Sequence, residues 1–205
     1  MPRLTFFNLP EHKKQTLLDA AIEEFSRVPL AEASIANIVK AADIPRGSFY
    51  QYFENKEDLY FYLLNEELKE KRQKYINKLE KHRGDIFYAF TDLLQSFLIR
   101  MDDENTHQFY RNMFLNLNYQ TEKTFTDIIN NSELNHQFSE FTNLINTEKL
   151  NVKNHEEIEL IVRMLTLVMT ENIIQKFAKD LSNDEVIEQF TKQIDLLKRG
   201  FVKND

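Results

Sequence analysis

The chain has 205 residues, of which 42% are hydrophobic and 29% are charged, and its formal net charge is −7. The absence of cysteine excludes a disulfide framework and any thiolate chemistry. Three glycines and four prolines are too few for the turns of a β-sandwich or barrel, or for a glycine-rich nucleotide loop, so composition favours an all-α fold.

Neither the N-terminal residues nor the longest apolar stretch indicates a membrane protein. The first ten residues, MPRLTFFNLP, lack the apolar core of a signal peptide. The longest apolar stretch, residues 160–169, is interrupted by Arg163 and Thr166, so we expect no membrane span. These features predict a cytoplasmic protein.

Apolar residues recur at three- and four-residue spacing along nearly the whole chain, which is typical of amphipathic helices. The first helix is predicted to begin at Asn8, because Asn8 and Glu11 have the spacing of a capping box. A short second helix is predicted to follow Ser34, a favourable N-cap residue. It must end near Ala42, since a proline follows three residues later and the residue before proline resists helical conformation.

The third helix is predicted from Pro45 to Phe53, because proline is tolerated in a first turn. Asn55 then caps a long fourth helix, which Gly84 ends. Three short helices therefore occupy residues 8–53. A turn of about three residues separates the last two, which is the helix-turn-helix arrangement.

The third helix has two contrasting faces when it is placed on a helical wheel. Phe49 and Phe53 fall on one face and are predicted to point into the core. The other side carries no Glu or Lys, and its members are Arg46, Gly47, Ser48, Tyr50, Gln51 and Tyr52. Gln can read adenine, Arg can read guanine, and Ser or Tyr can bond phosphates, so these side chains suit a DNA groove. Glycine adds a gap that permits close approach.

The distribution of charge leaves only a local and modest positive region, which neither favours nor excludes DNA binding. A net charge of −7 argues against nucleic acid. Residues 33–53, however, carry Lys40 and Arg46 against Asp43 alone. Lys56, at the start of the next helix, could reach the flanking DNA backbone.

The stretch SIANIVKAADIPRGSFYQYFENKEDLY, residues 34–60, resembles the signature of TetR/AcrR-type transcriptional regulators. The resemblance implies an N-terminal helix-turn-helix DNA-binding domain, residues 1–55, and a larger helical effector-binding and dimerisation domain, residues 56–205. It also implies double-stranded DNA as a partner. The family's DNA contacts fall on Ser34, Asn37, Arg46, Gly47, Ser48, Tyr50, Gln51, Tyr52 and Lys56.

The sequence departs from that signature at two positions. Asp43 stands where the family usually has a turn glycine, although Asp accepts left-handed geometry better than most residues. Pro45 replaces the usual serine cap and removes a hydroxyl that would face a phosphate. Gln51-Tyr52 also differs from the Tyr-His and His-Phe pairs that are frequent in the family, so base preference cannot be transferred.

The middle of the chain is rich in aromatic residues, with eleven Phe or Tyr among the 58 residues from Gly84 to Phe141. By resemblance this region binds an effector, and aromatic walls suit an apolar or amphipathic small molecule. Ordinary core packing is the alternative for each side chain. The candidate residues are Phe90, Phe97, Phe109, Tyr110, Phe114, Phe138 and Phe141.

The last two predicted helices indicate a subunit interface. Residues 157–177 are apolar nearly all round, so two faces need covering. Residues 183–201 show a seam of apolar positions at steps of three and four. We therefore predict a two-fold homodimer with a four-helix contact, and a near-palindromic operator. The predicted interface residues are Ile161, Leu165, Val168, Ile187, Phe190, Ile194 and Leu197.

Two other classes of function can be compared with a regulator. An enzyme is disfavoured, because the chain has no GxSxG elbow, phosphate-binding loop or HExxH motif, and no cofactor or metal is predicted. A helical adaptor that binds only protein is the alternative, and it would show no salt-sensitive DNA binding. The sequence favours a ligand-responsive, DNA-binding repressor.

Overall fold

The computed structural model describes residues 2–101, 104–115 and 142–202, except for the side chains of residues 67–72 and 105. These residues form nine helices, which confirms the all-α prediction, and their only β feature is one antiparallel bridge between Leu150 and Val202. The helices are α1 (Leu4–Phe7), α2 (Glu11–Arg27), α3 (Ile35–Ala41), α4 (Arg46–Tyr52), α5 (Lys56–Lys81), α6 (Ile86–Arg100), α7 (Glu104–Leu115), α8 (His155–Lys179) and α9 (Asn183–Phe201).

The start of the chain differs from the prediction of a first helix that begins at Asn8. Asn8 is instead the C-cap of the short helix α1, and its N–H donates to the Leu4 carbonyl at 3.2 Å. Helix α2 begins at Glu11 with Pro10 as its N-cap, and no side chain caps it. The Pro10 carbonyl accepts the first bond of α2, from the Lys13 N–H at 2.9 Å. The predicted capping box is therefore wrong, because Asn8 lies too far ahead of the helix it was expected to cap.

The turn between α3 and α4 has the geometry that a glycine would ordinarily provide. Asp43 has φ 51°, and the Ile44 N–H donates to the Val39 carbonyl at 3.0 Å, which is the Schellman pattern. Pro45, predicted as the first residue of the third helix, precedes that helix as its N-cap. The aspartate thus adopts the left-handed conformation that its position requires.

Both ends of α5 follow the sequence prediction. The Asn55 side chain accepts from the Asp58 N–H at 2.8 Å and caps the first turn. At the other end, Gly84 has φ 80° and its N–H donates to the Leu79 carbonyl at 2.8 Å. Glycine is needed here, since a side chain would meet the backbone of the segment that includes Leu144 and Asn146.

The described chain divides into two compact units. One comprises Met1–Lys69 and Met101–Thr124, and the other Glu70–Arg100 and Phe125–Asp205. The first unit therefore contains α7 and the first half of α5 together with the N-terminal helices. The sequence-based prediction instead ends the DNA-binding domain at residue 55.

In the first unit, α2 packs against α3 and α7, and α4 packs against α1 and α3. The side-chain amide of Asn112 on α7 donates to the Phe25 and Ser26 carbonyls at 3.0 and 2.9 Å, which joins α7 to the end of α2. The fully buried side chains of this unit include Phe6, Leu17, Phe25, Ile38, Phe49, Phe53 and Leu59.

In the second unit, α9 packs against α6 and α8. The α8–α9 connection is short and locally bonded: Asp180 has φ 55°, and the Leu181 N–H donates to the Lys176 carbonyl at 3.0 Å. Ser182 and Glu185 then form a reciprocal capping box at the start of α9. This unit buries Phe90, Leu94, Leu165, Phe190 and Ile194.

A cluster of charges ties the end of α5 to α6. The Asp92 carboxylate accepts from Lys78 Nζ at 2.7 Å and Lys81 Nζ at 2.5 Å, and it lies 2.9 Å from His82 Nε2. Desolvation by burial acts to raise the pKa of Asp92, but the hydrogen bonds from these three side chains outweigh it and hold the pKa well below its usual range. The carboxylate is therefore ionised throughout the neutral range.

Candidate nucleic-acid interface

Helix α4 has one buried face and one exposed face. Phe49 and Phe53 are completely buried, as the helical wheel predicts. Arg46, Gly47 and Gln51 are exposed, and Tyr50 is 39% exposed. Ser48 and Tyr52 are half-buried at its borders. The exposed face carries one guanidinium, a planar amide and hydroxyl groups, and it has no carboxylate.

Gly47 leaves an open gap on this face. Its backbone has no positive φ, and a Cβ added there would find no atom of the protein within 4 Å. Folding therefore does not require glycine at this position. A close external surface would explain its presence.

A buried carboxylate, Glu24, fixes the start of α3. Glu24 is only 5% exposed, and its Oε1 accepts from the Ser34 N–H at 2.8 Å and from Asn37 Nδ2 at 3.1 Å. Arg27 approaches the same carboxylate with Nε at 3.0 Å and Nη2 at 2.8 Å. Burial acts to raise the pKa of Glu24, but the bonds from Ser34, Arg27 and Asn37 outweigh that effect and lower it.

This cluster gives Ser34 and Asn37 an internal role that the sequence did not indicate. Ser34 is the N-cap of α3, but its side chain makes no cap bond, and its N–H is held by Glu24 instead. The Asn37 amide nitrogen is likewise directed at Glu24. A signal was available, because Glu24 falls within the apolar stripe of α2 formed by Leu17, Ala20, Ala21 and Phe25.

Lys56 also makes internal hydrogen bonds. Its Nζ donates to the Ala31 carbonyl at 2.8 Å and to the Ala33 carbonyl at 3.0 Å, which joins the first turn of α5 to the α2–α3 loop. An ammonium has three N–H donors, so one donor is left for a phosphate. Lys56 thus supports the loop whether or not it contacts DNA.

The segment from Arg3 to Asn8 lies against the end of α4. The Arg3 N–H donates to the Tyr52 carbonyl at 2.8 Å, and the Thr5 hydroxyl donates to the Gln51 carbonyl. The Phe6 ring is completely buried, with its centroid 4.9 Å from that of Phe53. Sequence reasoning gave this segment no role.

The residues predicted to bind an effector are buried among other aromatic rings. Phe90 lies edge-on to Tyr75 with centroids 4.9 Å apart, and Phe109 lies 6.1 Å from Tyr60. Phe97, Tyr110 and Phe114 are buried as well, with Tyr110 and Phe114 stacked at 6.3 Å. Phe138 and Phe141 lie outside the described residues. The effector site therefore stays a prediction.

A shallow groove lies between α2 and α3 in the first unit. Its volume is about 190 Å³, and none of the residues predicted to bind an effector lines it. The lining residues are Ala20, Glu23, Glu24, Arg27, Asn37 and Ala41.

Most of the residues predicted to form the dimer interface are buried within their own compact unit. Ile161, Leu165, Phe190 and Ile194 are at most 4% exposed, so they have almost no surface to offer a partner. Val168, Ile187 and Leu197 are half-buried. Other apolar side chains on the same two helices are exposed instead, namely Leu160, Met164, Leu167 and Leu196, at 42%, 43%, 64% and 63%.

The described part of the chain has neither a metal-binding cluster nor a membrane-spanning helix. No group of three or more His, Asp or Glu side chains is gathered as a metal ion would require. Among those same residues, no helix is both long enough and apolar enough to cross a membrane.

Comparison with known proteins gives matches over most of the chain. A family model described as "Bacterial regulatory proteins, tetR family" matches residues 17–63, and one described as "Tetracyclin repressor-like, C-terminal domain" matches residues 85–201. The transcriptional regulator AcuR of Cereibacter sphaeroides is 41% identical over 44 residues, which are 22% of this chain. The match covers only 20% of AcuR.

Solved structures share the fold along nearly the whole length. SmeT, the repressor of the Stenotrophomonas maltophilia multidrug efflux pump SmeDEF, is 16% identical with a TM-score of 0.64, over 97% of this chain and 93% of its own. FadR of Bacillus subtilis in complex with stearoyl-CoA is 16% identical with a TM-score of 0.59, over 86% of this chain and 96% of its own. At such identities the likeness concerns the fold alone.

Proposed function

Since this chain belongs to the TetR family of transcriptional regulators, we propose that it is a repressor that binds a near-palindromic operator as a homodimer. A small apolar or amphipathic molecule would release it. The observation that carries the DNA-binding part is the exposed face of α4, which combines Arg46, Gln51 and Tyr50 around an open gap at Gly47 and has no acidic side chain.

In the proposed complex, some side chains of α4 contact bases and others contact phosphates, according to their chemistry. The Gln51 amide can read adenine with two hydrogen bonds, and the Arg46 guanidinium can read guanine or hold a phosphate. The Ser48 and Tyr50 hydroxyls suit phosphate oxygens. The gap at Gly47 lets the helix backbone approach the duplex closely. Ser34, Asn37 and Lys56 hold the α2–α3 loop and the start of α3, and α3 in turn packs against α4.

The exposed apolar side chains of α8 and α9 support the proposed dimer. Leu160, Met164 and Leu167 follow one face of α8 at steps of four and three residues, and Leu196 is exposed on α9. Burial of such a patch against its two-fold copy would remove apolar area from water. Two recognition helices about 34–36 Å apart would then enter successive major grooves, which gives the operator its symmetry.

The first test concerns Gln51 and Tyr50, which are proposed to contact DNA. We expect Gln51→Ala and Tyr50→Ala each to weaken binding by ~1–3 kcal/mol, because each change removes a base or phosphate contact. Duplex DNA that the wild-type protein selects from a random library serves as the operator, and fluorescence anisotropy gives the affinity. Gln95→Ala, an exposed substitution on α6, is the matched control. Unchanged affinity in both α4 variants would contradict the proposed face, and loss of the dimer would assign these residues a structural role.

A second test concerns Gly47. Gly47→Ala is expected to leave the fold intact or to stabilise it by up to ~1 kcal/mol, since alanine is the better helix former. Affinity for the selected operator should fall at least tenfold, because the new methyl group occupies the space that DNA would use. Gly200→Ala, where an added Cβ also meets no atom within 4 Å, is the control and should bind normally. Normal binding by Gly47→Ala would show that the gap is not a contact surface.

The effector part of the proposal rests on the buried aromatic residues of the C-terminal region and on the ligand-binding domain of the family. Helix α5 contributes residues to both compact units, so it is one covalent path by which a bound effector would shift the DNA-binding helices. A coupling of ~1–3 kcal/mol between effector and operator is sufficient. Titration of the operator complex with long-chain acyl-CoA and with aromatic amphiphiles is expected to release DNA. If none of these compounds releases DNA, the effector part of the proposal is contradicted and the DNA-binding part is not.

A further inference from the structure

We propose that the segment Arg3–Asn8 is a second part of the DNA-binding surface, in which Arg3 contacts an operator phosphate beside the end of α4. This inference rests on the proposed function and extends it to residues that precede the N-terminal family match, which begins only at residue 17.

The segment is held in place by hydrogen bonds to the last residues of α4. The final carbonyls of a helix have no partner within that helix. Here the Arg3 N–H donates to the Tyr52 carbonyl at 2.8 Å, and the Thr5 hydroxyl donates to the Gln51 carbonyl. The segment therefore takes part in ending α4 and cannot move away without leaving those acceptors to solvent.

A buried aromatic ring provides the second attachment. Phe6 is completely buried, and its ring lies 4.9 Å from Phe53, 5.2 Å from Tyr62 and 6.5 Å from Tyr52. Phe53 immediately follows α4, and Tyr52 is its last residue. The segment and the reading helix therefore share one small aromatic cluster, so the position of one fixes the position of the other.

The side chain of Arg3 remains available for a ligand. Arg3 is exposed, it is the only charged residue among residues 2–10, and no described residue forms an ion pair with it. Because its N–H donates to the Tyr52 carbonyl, Arg3 lies at the end of α4, beside the face proposed to meet DNA.

Arg46 and Arg3 place a positive charge at each end of the exposed face of α4, whose other side chains are uncharged. Arg46 is the first residue of α4, and Arg3 is bonded to the last. With a rise of about 1.5 Å per residue, these ends are ~9 Å apart along the helix axis. The major groove is about 12 Å wide, so cations at both ends of the inserted helix suit the phosphates on its two sides.

The experiment removes the charge and keeps the shape of the segment. Arg3→Gln is compared with wild type for binding to the selected operator over a series of salt concentrations. Each lost phosphate contact lowers the slope of log affinity against log salt by about 0.9, so a dimer with two Arg3 side chains should lose ~1.8. At low salt the affinity should fall about tenfold or more. Lys179→Gln, an exposed charge removal on α8, should change neither quantity.

The possible outcomes separate this inference from the proposed function. If wild-type protein selects no DNA, the proposed function fails. If wild type binds and Arg3→Gln keeps the wild-type slope, with or without a change in affinity, the phosphate contact is overturned while the proposed function stands. Thr5→Val, which removes only the bond to the Gln51 carbonyl, should lower affinity and leave the slope unchanged, because it acts through the position of the segment.

Discussion

Replacement of Gly84 with alanine is expected to lower the free energy of unfolding by about 2–5 kcal/mol. The φ of 80° costs an L-residue about 1–2 kcal/mol. The new Cβ would also lie 2.6 Å from both the Asn146 nitrogen and the Leu144 oxygen. Both are backbone atoms, which cannot swing aside as a side chain can, so overpacking adds about 1–3 kcal/mol.

Urea denaturation followed by circular dichroism measures this effect, provided that wild type and variant are compared at one protein concentration, since association contributes to apparent stability. Gly200→Ala is the natural control, because it makes the same chemical change on α9 with open space around the new methyl group. Equal loss of stability in the two variants would show that the contact between Gly84 and the segment at Leu144 and Asn146 is not tight.

The second large effect is expected for Asp92→Asn, which should cost about 2 kcal/mol at neutral pH. The asparagine would leave Lys78, Lys81 and His82 around an uncharged group, and charge-assisted hydrogen bonds are worth about 1.5–3 kcal/mol. Lys81 is 60% exposed, so solvent screening reduces its share. Lys78 is 22% exposed and retains more of its effect.

The lowered pKa of Asp92 determines how its contribution to stability depends on pH. Its pKa is lower in the folded protein than the unfolded value of about 3.9, so its contribution is fully present above that value and is lost as pH falls toward the folded pKa. The difference in unfolding free energy between wild type and Asp92→Asn should therefore shrink below pH ~4. Asp195→Asn, at an exposed position of α9, should show little difference at any pH. A difference that grows in acid would contradict this assignment.

Together, Gly84 and Asp92 would restrict how the proposed effector acts through α5. The last turns of α5 are bonded to α6 through Asp92, and the chain between them is packed against the segment at Asn146 through Gly84. A shift of the end of α5 must therefore carry α6 with it. Variants at these two positions are expected to weaken the coupling between effector and operator as well as stability.

The sequence was most informative where the signal was local. The turn at Asp43, the cap at Asn55 and the stop at Gly84 depend on residues within one helical turn of each other, and each was predicted at the right place. The burial of Phe49 and Phe53 follows from the period of a single helix. Such features depend little on the rest of the fold.

Features that depend on distant partners were missed. Asn8 and Glu11 have the spacing of a capping box, but residues 4–7 form a separate short helix. Phe6 of that helix packs against Phe53 and Tyr62, which lie far along the chain. The role of Glu24 likewise depends on residues across the α2–α3 loop. Periodicity identified α8 as apolar all round, but it could not distinguish Leu165, which faces its own unit, from Leu167, which faces outward.

The α8–α9 connection has a consequence for the order of events during folding. Its left-handed Asp180, the bonds between Lys176 and Leu181 and the Ser182–Glu185 box all join residues within five positions of one another. Contacts of low sequence separation close early, in microseconds to milliseconds for helical hairpins. The α8–α9 hairpin is thus expected to form early, before α9 packs against α6, which lies much further away along the chain.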